Sequence, residues 1–308
     1  LLNDRAISAL CFFGTSPVNW MITPGIVAWL EAETGFRIEP RSARRVTGGC
    51  IHEALLMDVK DGGTVFLKSN RAAALPMLAA ERRSLEWIAA SATIRVPRPY
   101  ASGTVDGRAF LAMEGLELGS GAKPAASVRM AEGLAALHRV RSPDGRFGAD
   151  FDNFIGATPQ SNTPTDSWAD FFVQQRLEPQ LTLAAARGRA FSDTARLLSA
   201  VHCHLASLKI EPALLHGDLW GGNAGFLPDG EPVVFDPASY FGDPETDLAF
   251  TRLFGGFAPA FHHRYRELVP APEPIYNLYH LLNHYHLFGG SYAEESALLM
   301  REILHEIG

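Results

Sequence analysis

Two pairs of short apolar runs mark the first third of the chain. Residues 54–59 and 64–69 are joined by Asp61-Gly62-Gly63, and residues 96–103 and 108–113 bracket Asp106-Gly107. Asp-Gly and Gly-Gly supply the positive φ of a tight turn, so both pairs predict antiparallel hairpins. Residues 46–50 read as a strand running into a glycine turn, and residues 72–90 switch to helical spacing, with Leu78, Leu85 and Ile88 on one stripe. Upstream, Thr23-Pro24 is an N-cap and first-turn pair that opens a helical stretch ending near Gly35.

Near residues 114–121 the pattern turns polar and glycine-rich. Beyond it helical periodicity dominates, around residues 125–139, 167–186, 193–209, 245–254, 275–286 and 293–307. Two strand-like runs, 213–216 and 232–236, stand either side of Pro228-Asp229-Gly230. The pattern predicts an α+β, bilobal fold: an N-terminal lobe at 21–113 built on an antiparallel sheet with one main helix, a connector at 114–121, and a larger, mainly helical C-terminal lobe at 122–308.

A length of 308 residues agrees with two lobes, since one core rarely grows past ~250–300 residues. With 47% hydrophobic and 20% charged residues the chain is an ordinary folded one, which excludes disorder, collagen and coiled coil. A net charge of −7 argues against a nucleic-acid partner. The longest apolar runs fall short of a membrane span, so no membrane partner is expected. Cys11, Cys50 and Cys203 are scattered and outside any CxxC, the usage of a reducing compartment, here the cytoplasm, with neither disulfides nor zinc. The patch at residues 10–13 lacks a basic flank and the length of a secretory core, so the organised chain is expected to start at Met21, with residues 1–20 an extension.

The clearest chemistry lies in Leu214-Leu215-His216-Gly217-Asp218-Leu219-Trp220-Gly221-Gly222-Asn223, followed by Val233-Val234-Phe235-Asp236. Asp218 and Asn223 are five apart, and Asp236 follows thirteen later at the end of an apolar run. Phosphoryl transfer from ATP needs one carboxylate to orient the attacking hydroxyl and take its proton. It also needs an amide oxygen and a second carboxylate to hold magnesium on the phosphates. An Asp-x4-Asn loop followed by a strand-ending Asp is how protein-kinase-like folds supply these groups. Singly, such residues would mark only turns; the joint spacing carries the reading.

The first lobe offers an independent check. A kinase-like nucleotide site wants a glycine turn over the phosphates, a strand lysine and a helix acid to hold that lysine. Gly48-Gly49-Cys50 lies between two strand-like runs, and Lys68 closes the run Val65-Phe66-Leu67. Glu81 shares the inward stripe of Leu78 and Leu85, and an acid on an apolar face needs a partner. Lys68 is the candidate. Cys50 has two readings: an inert small residue in a tight turn, or a redox-sensitive thiol whose oxidation would block nucleotide binding or link two chains.

These blocks resemble the fructosamine/ketosamine-3-kinase family. The resemblance is carried by His216-Gly217-Asp218-Leu219-Trp220-Gly221-Gly222-Asn223, Phe235-Asp236-Pro237-Ala238-Ser239-Tyr240, Asp243-Pro244-Glu245-Thr246-Asp247-Leu248-Ala249 and Phe254-Gly255-Gly256-Phe257. Gly48-Gly49-Cys50-Ile51-His52-Glu53, Asp152-Asn153-Phe154-Ile155-Gly156-Ala157-Thr158-Pro159-Gln160, Arg176-Leu177-Glu178-Pro179-Gln180 and Leu282-Asn283-His284-Tyr285 extend it from about Met21 to the C-terminus. The His-Gly-Asp core is shared with aminoglycoside and choline kinases; the Asp-Leu-Trp and Asp-Pro-Ala-Ser extensions are narrower.

The resemblance implies a protein-kinase-like, phosphotransferase-type fold. It implies ATP- and Mg2+-dependent phosphorylation of the sugar 3-hydroxyl of ketosamines, on small amines or glycated protein lysines, leading to deglycation. Carried over, Asp218 is the catalytic base, and Asn223 and Asp236 are magnesium ligands. Lys68 and Glu81 clamp the phosphates, Gly48, Gly49 and Cys50 cover them, and Met113, Glu114 and Leu116 offer backbone to adenine. Trp220 and His284 wall the sugar pocket with Asn153, while Asp247 and His216 steady the catalytic loop. Two departures stand out: Pro-Ala follows Asp236 where protein kinases have Phe-Gly, and His52 stands where a small polar residue is expected. The alternatives are another small-molecule hydroxyl kinase of aminoglycoside or choline type, and a catalytically silent nucleotide-binding regulator. Monomer and homodimer both remain open.

Overall fold

The computed structural model describes residues 22–46, 52–119, 123–269 and 275–308. Helix α1 (Pro24–Thr34) has the ends its sequence encodes. The Thr23 hydroxyl accepts from the Ile26 amide at 3.2 Å, and Gly35 closes the helix in the left-handed region at φ 72°. Its buried Ile26 and Leu30 pack on one face of a five-stranded antiparallel sheet.

That sheet comprises β1 (Arg44–Val46), β2 (Glu53–Asp58) and β3 (Thr64–Arg71), then, after α2 (Leu75–Ser91), β4 (Pro99–Val105) and β5 (Arg108–Glu114), in the order β1-β2-β3-β5-β4. Along β5, Phe110 and Ala112 face the α1 side, and Ala109, Leu111 and Met113 face the α2 side. Both faces are covered, so the strand reads as a continuous apolar run rather than an alternating one. The strand expected at residues 96–103 begins only at Pro99, and a proline is tolerated at that first strand position.

After the sheet come α3 (Pro124–Leu137) and a short hairpin, β6 (Asn153–Ile155) with β7 (Thr158–Gln160). The single helix expected over 167–186 is α4 (Trp168–Phe172), a π-helical turn at Val173–Leu177, and α5 (Glu178–Ala186). Pro179 explains part of the break. It has no N–H for the carbonyl of Gln175, and that carbonyl instead accepts Arg176 Nη1 at 3.0 Å. The chain continues through α6 (Thr194–Ser207), β8 (Ala213–Leu214), β9 (Ala224–Phe226), β10 (Pro232–Val234) and β11 (Phe241–Gly242). It ends in α7 (Glu245–Leu253), α8 (Pro259–Leu268), α9 (Tyr276–Phe288) and α10 (Tyr292–Ile307).

The apolar runs at 213–216 and 232–236 do not pair with each other. β8 pairs with β11 and β10 with β9; the partners β11 and β9, two and three residues long, each contain a glycine and carry no legible pattern. Helix α8 also went unread, since only Phe261 and Tyr265 are buried along it. No helix among the described residues is long and apolar enough to cross a membrane.

Candidate active site

The loop after β8 is held at both ends. The Leu215 amide donates to the Tyr240 carbonyl at 3.0 Å, and the Ala238 amide donates to the His216 carbonyl at 2.9 Å. Gly217 sits at φ 83°, and a Cβ there would meet the Ala238 carbonyl oxygen at 2.1 Å, so only glycine lets the two segments approach. Asp247, fully buried in the first turn of α7, accepts the His216 and Gly217 amides at 2.7 and 2.8 Å and His138 Nε2 at 3.1 Å. Burial alone would raise the Asp247 carboxyl, but the bonds from His138 and the Gly217 amide hold it below the usual carboxylate range. His216 Nδ1 accepts the Asp218 amide at 3.2 Å, and Nε2, at 3.0 Å from the Phe235 carbonyl, is therefore the protonated nitrogen. Burial pushes this ring down, so it stays neutral.

This frame brings together five of the residues the sequence singled out. Asn223 Nδ2 donates to the Asp218 carbonyl at 2.9 Å and to Asp218 Oδ2 at 3.1 Å, which leaves Oδ1 for another partner. The Asn223 carbonyl takes the Phe235 amide at 3.0 Å, and the β9–β10 register sets Ala224 against Val234. Asp236 therefore emerges beside Asn223. It is a non-glycine residue at φ 58°, a costly conformation that the pairing on either side imposes. Its carboxylate accepts Lys68 Nζ at 2.7 Å, and the same ammonium lies 2.7 Å from Glu81 on α2.

The charges perturb one another. Burial pushes Asp218 up to about 8, the nearby Asp236 charge adds to the rise, and Asn223 opposes it. Burial likewise raises Glu81 to about 7 against the pull of Lys68. Burial opposes the Lys68 ammonium, but Asp236 and Glu81 outweigh it and hold the group charged. His52, whose Nδ1 faces Asn70 Nδ2 at 3.0 Å, is pushed down to about 4 by burial and then by Lys68, and is neutral.

The donor set fits a hard divalent cation. Asp236 offers a carboxylate that is 44% exposed, and the Asn223 amide oxygen has no donor among the described residues. No cluster of three or more His, Cys, Asp or Glu exists among the described residues. Magnesium does not need one, because it binds through one or two protein oxygens and takes the rest from phosphate and water.

The remaining candidates divide. Gly48, Gly49 and Cys50 lie outside the described residues. Met113 is buried in the sheet, and the Glu114 carboxylate is occupied by Arg95 at 2.5 Å and the Arg98 amide at 3.1 Å. Leu116, just past β5, makes no backbone hydrogen bond among the described residues. The Trp220 ring lies over Gly222, where a Cβ would meet it at 2.3 Å, and edge-on to Phe254 at 6.5 Å. His284 packs on Phe254 at 4.6 Å and donates from Nδ1 to the His280 carbonyl at 2.8 Å, so Nε2 carries a free lone pair. Trp220 and His284 thus belong to one aromatic wall.

Asn153 does not join that wall. It is 2% exposed, donates to the Ser239 carbonyl at 3.0 Å and accepts Gln160 Nε2 at 2.7 Å, so both halves of its amide are used inside the protein. Its place is behind the Asp236–Ser239 loop rather than against a substrate. Three supporting residues were missed in the sequence: His138, Ser84, whose Oγ accepts the Ser239 amide at 3.1 Å, and the buried Arg176. Only Arg176 had a signal, as part of the Arg-Leu-Glu-Pro-Gln block.

A lysine-bearing antiparallel sheet set against a helical layer, with Asp218, Asn223 and Asp236 at the junction, defines a protein-kinase-like phosphotransferase. An aminoglycoside phosphotransferase, APH(4)-Ia, shares this fold at a TM-score of 0.56 and 16% identity, over 91% of this chain and 97% of that one. The Fructosamine kinase family model matches residues 22–306. A "Probable ketoamine kinase" of Synechocystis sp. is 45% identical over 94% of this chain and 98% of its own length. A chloroplastic protein-ribulosamine 3-kinase of Oryza sativa subsp. indica is 33% identical over 97% of this chain and 86% of its own. A crystal structure from Haemophilus somnus, assigned as a fructosamine-3-kinase, superposes with a TM-score of 0.83 at 32% identity, over 91% of this chain and 97% of that one. The chain belongs to the fructosamine kinase family, phosphotransferases that use a hydroxyl of a ketosamine as acceptor.

Proposed function

We propose that the protein transfers the γ-phosphoryl group of ATP to the sugar 3-hydroxyl of a ketosamine, a ribulosamine or fructosamine adduct of a small amine or protein lysine. The observation that carries this reading is the convergence on one point of Asp218, Asn223, Asp236, Lys68 and Glu81 from four separate segments. Asp218 orients the acceptor hydroxyl and takes its proton. The rise of its carboxyl to about 8 matches the needs of a proton acceptor working near neutrality. Asn223 fixes the Asp218 rotamer through Oδ2, and His216 and Asp247 fix the backbone beneath it. Lys68, aligned by Glu81, leaves Asp236 for the α- and β-phosphates as nucleotide enters. The Leu116 backbone receives adenine, with Met113 and Glu114 forming the strand end that positions it. Trp220 and His284 flank the sugar. Magnesium, when bound, offsets phosphate charge, and Asn223 Oδ1 and the Asp236 carboxylate are the oxygens that would hold it. The reading places this chemistry in the cytoplasm, where ATP is at hand.

ATP consumption over an acceptor panel tests the proposal: ribuloselysine, fructoselysine, kanamycin, choline and no acceptor, with Asp218→Asn beside the wild type. Turnover with a ketosamine, lost in the variant, is the expected result. Turnover confined to kanamycin or choline would keep the kinase and discard the acceptor.

A further inference from the structure

The sheet presents one residue to the cleft that the phosphoryl-transfer set above does not include. Along β3, Val65 and Leu67 pack on the α1 side, whereas Phe66 packs on the α2 side and Lys68 reaches Glu81 and Asp236. Side chains alternate along a strand, so Asn70 shares the Lys68 face. The β2–β3 register sets Ala54 against Lys68 and Glu53 against Ser69. One step further His52 stands opposite Asn70, half-buried, with its ring against that side chain.

The tautomer of His52 is fixed by this neighbour. Asn70 Oδ1 accepts the Arg71 amide at 2.8 Å, which leaves Nδ2 to donate to His52 Nδ1 at 3.0 Å. The imidazole proton therefore sits on Nε2. That N–H has no acceptor among the described residues. The charges that act on the ring are the Lys68 ammonium and the Asp236 carboxylate, so it lies within reach of the phosphate end of the cleft.

The strands also give its position along the cleft. Val65 pairs with Glu114, the last residue of β5 before the connector, while Lys68 pairs with Leu111 and Asn70 with Ala109, progressively further from it. At ~3.4 Å per residue, His52 lies about 17 Å from the connector and about 7 Å beyond Lys68. A nucleotide with its base at the connector and its α- and β-phosphates at Lys68 directs its terminal phosphate there. We infer that His52 is a nucleotide-contacting residue that donates from Nε2 to a γ-phosphate oxygen and so separates ATP from ADP. The inference rests on the kinase reading and names a donor that this reading did not use.

Titration calorimetry of the whole protein with ATP and with ADP, in magnesium, tests it on wild type, His52→Asn and His52→Gln. Asparagine places its amide at the height of Nδ1, so it keeps an acceptor for Asn70 and loses the outer donor. Glutamine carries an N–H at the height of Nε2. His52→Asn should weaken ATP about 10–100-fold, the worth of a hydrogen bond to a charged group, and leave ADP unchanged. Retained ADP affinity also shows that the variant is folded. His52→Gln should recover most of the ATP affinity. Equal ATP affinity in wild type and His52→Asn, a loss shared alike by ATP and ADP, or a loss in His52→Gln as large as in His52→Asn would overturn the inference while leaving the kinase reading intact. A wild type that binds neither nucleotide would overturn the kinase reading and this inference with it.

Discussion

Replacing Asp247 by asparagine preserves the side-chain shape and removes its charge and one acceptor. In the wild type the carboxylate receives three donors, the amides of His216 and Gly217 and the ring of His138, at 2.7, 2.8 and 3.1 Å. An asparagine can keep the Gly217 amide on its oxygen. Its NH2 then faces the His216 amide and His138 Nε2, two buried donors left without an acceptor. Each unmet group costs about 1–3 kcal/mol, so the sum is ~2–6 kcal/mol. At roughly 2 °C per kcal/mol for a chain of this size, Tm should fall by about 4–12 °C.

The pH dependence separates this cause from a general packing defect. Asp247 titrates below the usual carboxylate range in the folded protein, so its contribution is fully present above the ordinary value near ~4 and fades as pH falls through the lower folded value. Melts of wild type and Asp247→Asn should therefore stay a constant distance apart from about pH 5 to 8 and converge only in stronger acid. Turnover should fall on the order of 10²-fold because the Asp218 backbone loses its anchor. Hydrogen exchange at the His216 and Gly217 amides should accelerate with it. A Tm within about 2 °C of wild type, equivalent to ~1 kcal/mol, would refute the assignment of these three bonds as the loop's support.

Asp218→Asn should lose roughly 10²–10⁴-fold in turnover with ATP binding retained. It should also gain stability relative to wild type as pH rises. The Asp218 carboxyl is raised to about 8 in the folded state, so the folded wild type is favoured below the ordinary value near ~4 and loses that advantage as pH climbs through the folded one. Melts at pH 5 and pH 8.5 check the sign, and an unchanged difference between the two would count against a buried, perturbed carboxyl. Lys68→Met should weaken ATP binding about 10–100-fold, the worth of one charge-assisted phosphate contact, in a titration with nucleotide and magnesium. It should fold, because Glu81, already raised to about 7, can take up a proton when its partner is gone.

What the sequence disclosed follows the range of the interactions involved. The helix α1 was legible because its cap, first-turn proline and closing glycine are local. The Asp218, Asn223 and Asp236 set was legible because one short hairpin, β9–β10, folds those spacings onto one point. His138 was not, since its partner Asp247 lies 109 residues away and nothing near it in sequence marks it as buried. The same holds for β11, two residues long and defined only by its pairing with β8. Asn153 was legible as a residue that matters but not as to why. Its role depends on a contact with the Ser239 carbonyl, 86 residues on.

The motif departure after Asp236 and the packing of α2 have one explanation. In a kinase regulated through this region, the helix bearing the glutamate must be free to swing and break the lysine pair. Here α2 is tied to the segments after the connector through Arg83, Ser84 and Trp87. Arg83 reaches Asp150 at 2.8 Å and covers the Phe151 ring at 4.1 Å; Trp87 packs on Phe151 and Phe241 at 5.1 and 5.4 Å. The exposed Arg83 pair alone is worth little. The decisive contact is the buried one, where Ser84 Oγ takes the Ser239 amide at 3.1 Å, inside the Pro-Ala-Ser segment that stands where other kinases carry Phe-Gly. One hydrogen bond thus joins the helix that holds Glu81 to the loop that holds Asp236, and both carboxylates meet the same ammonium at 2.7 Å. Moving α2 would expose the Ser84 and Ser239 groups and uncover aromatic surface together. Ser84 thus holds the helix that carries Glu81 and the loop that carries Asp236 in one register.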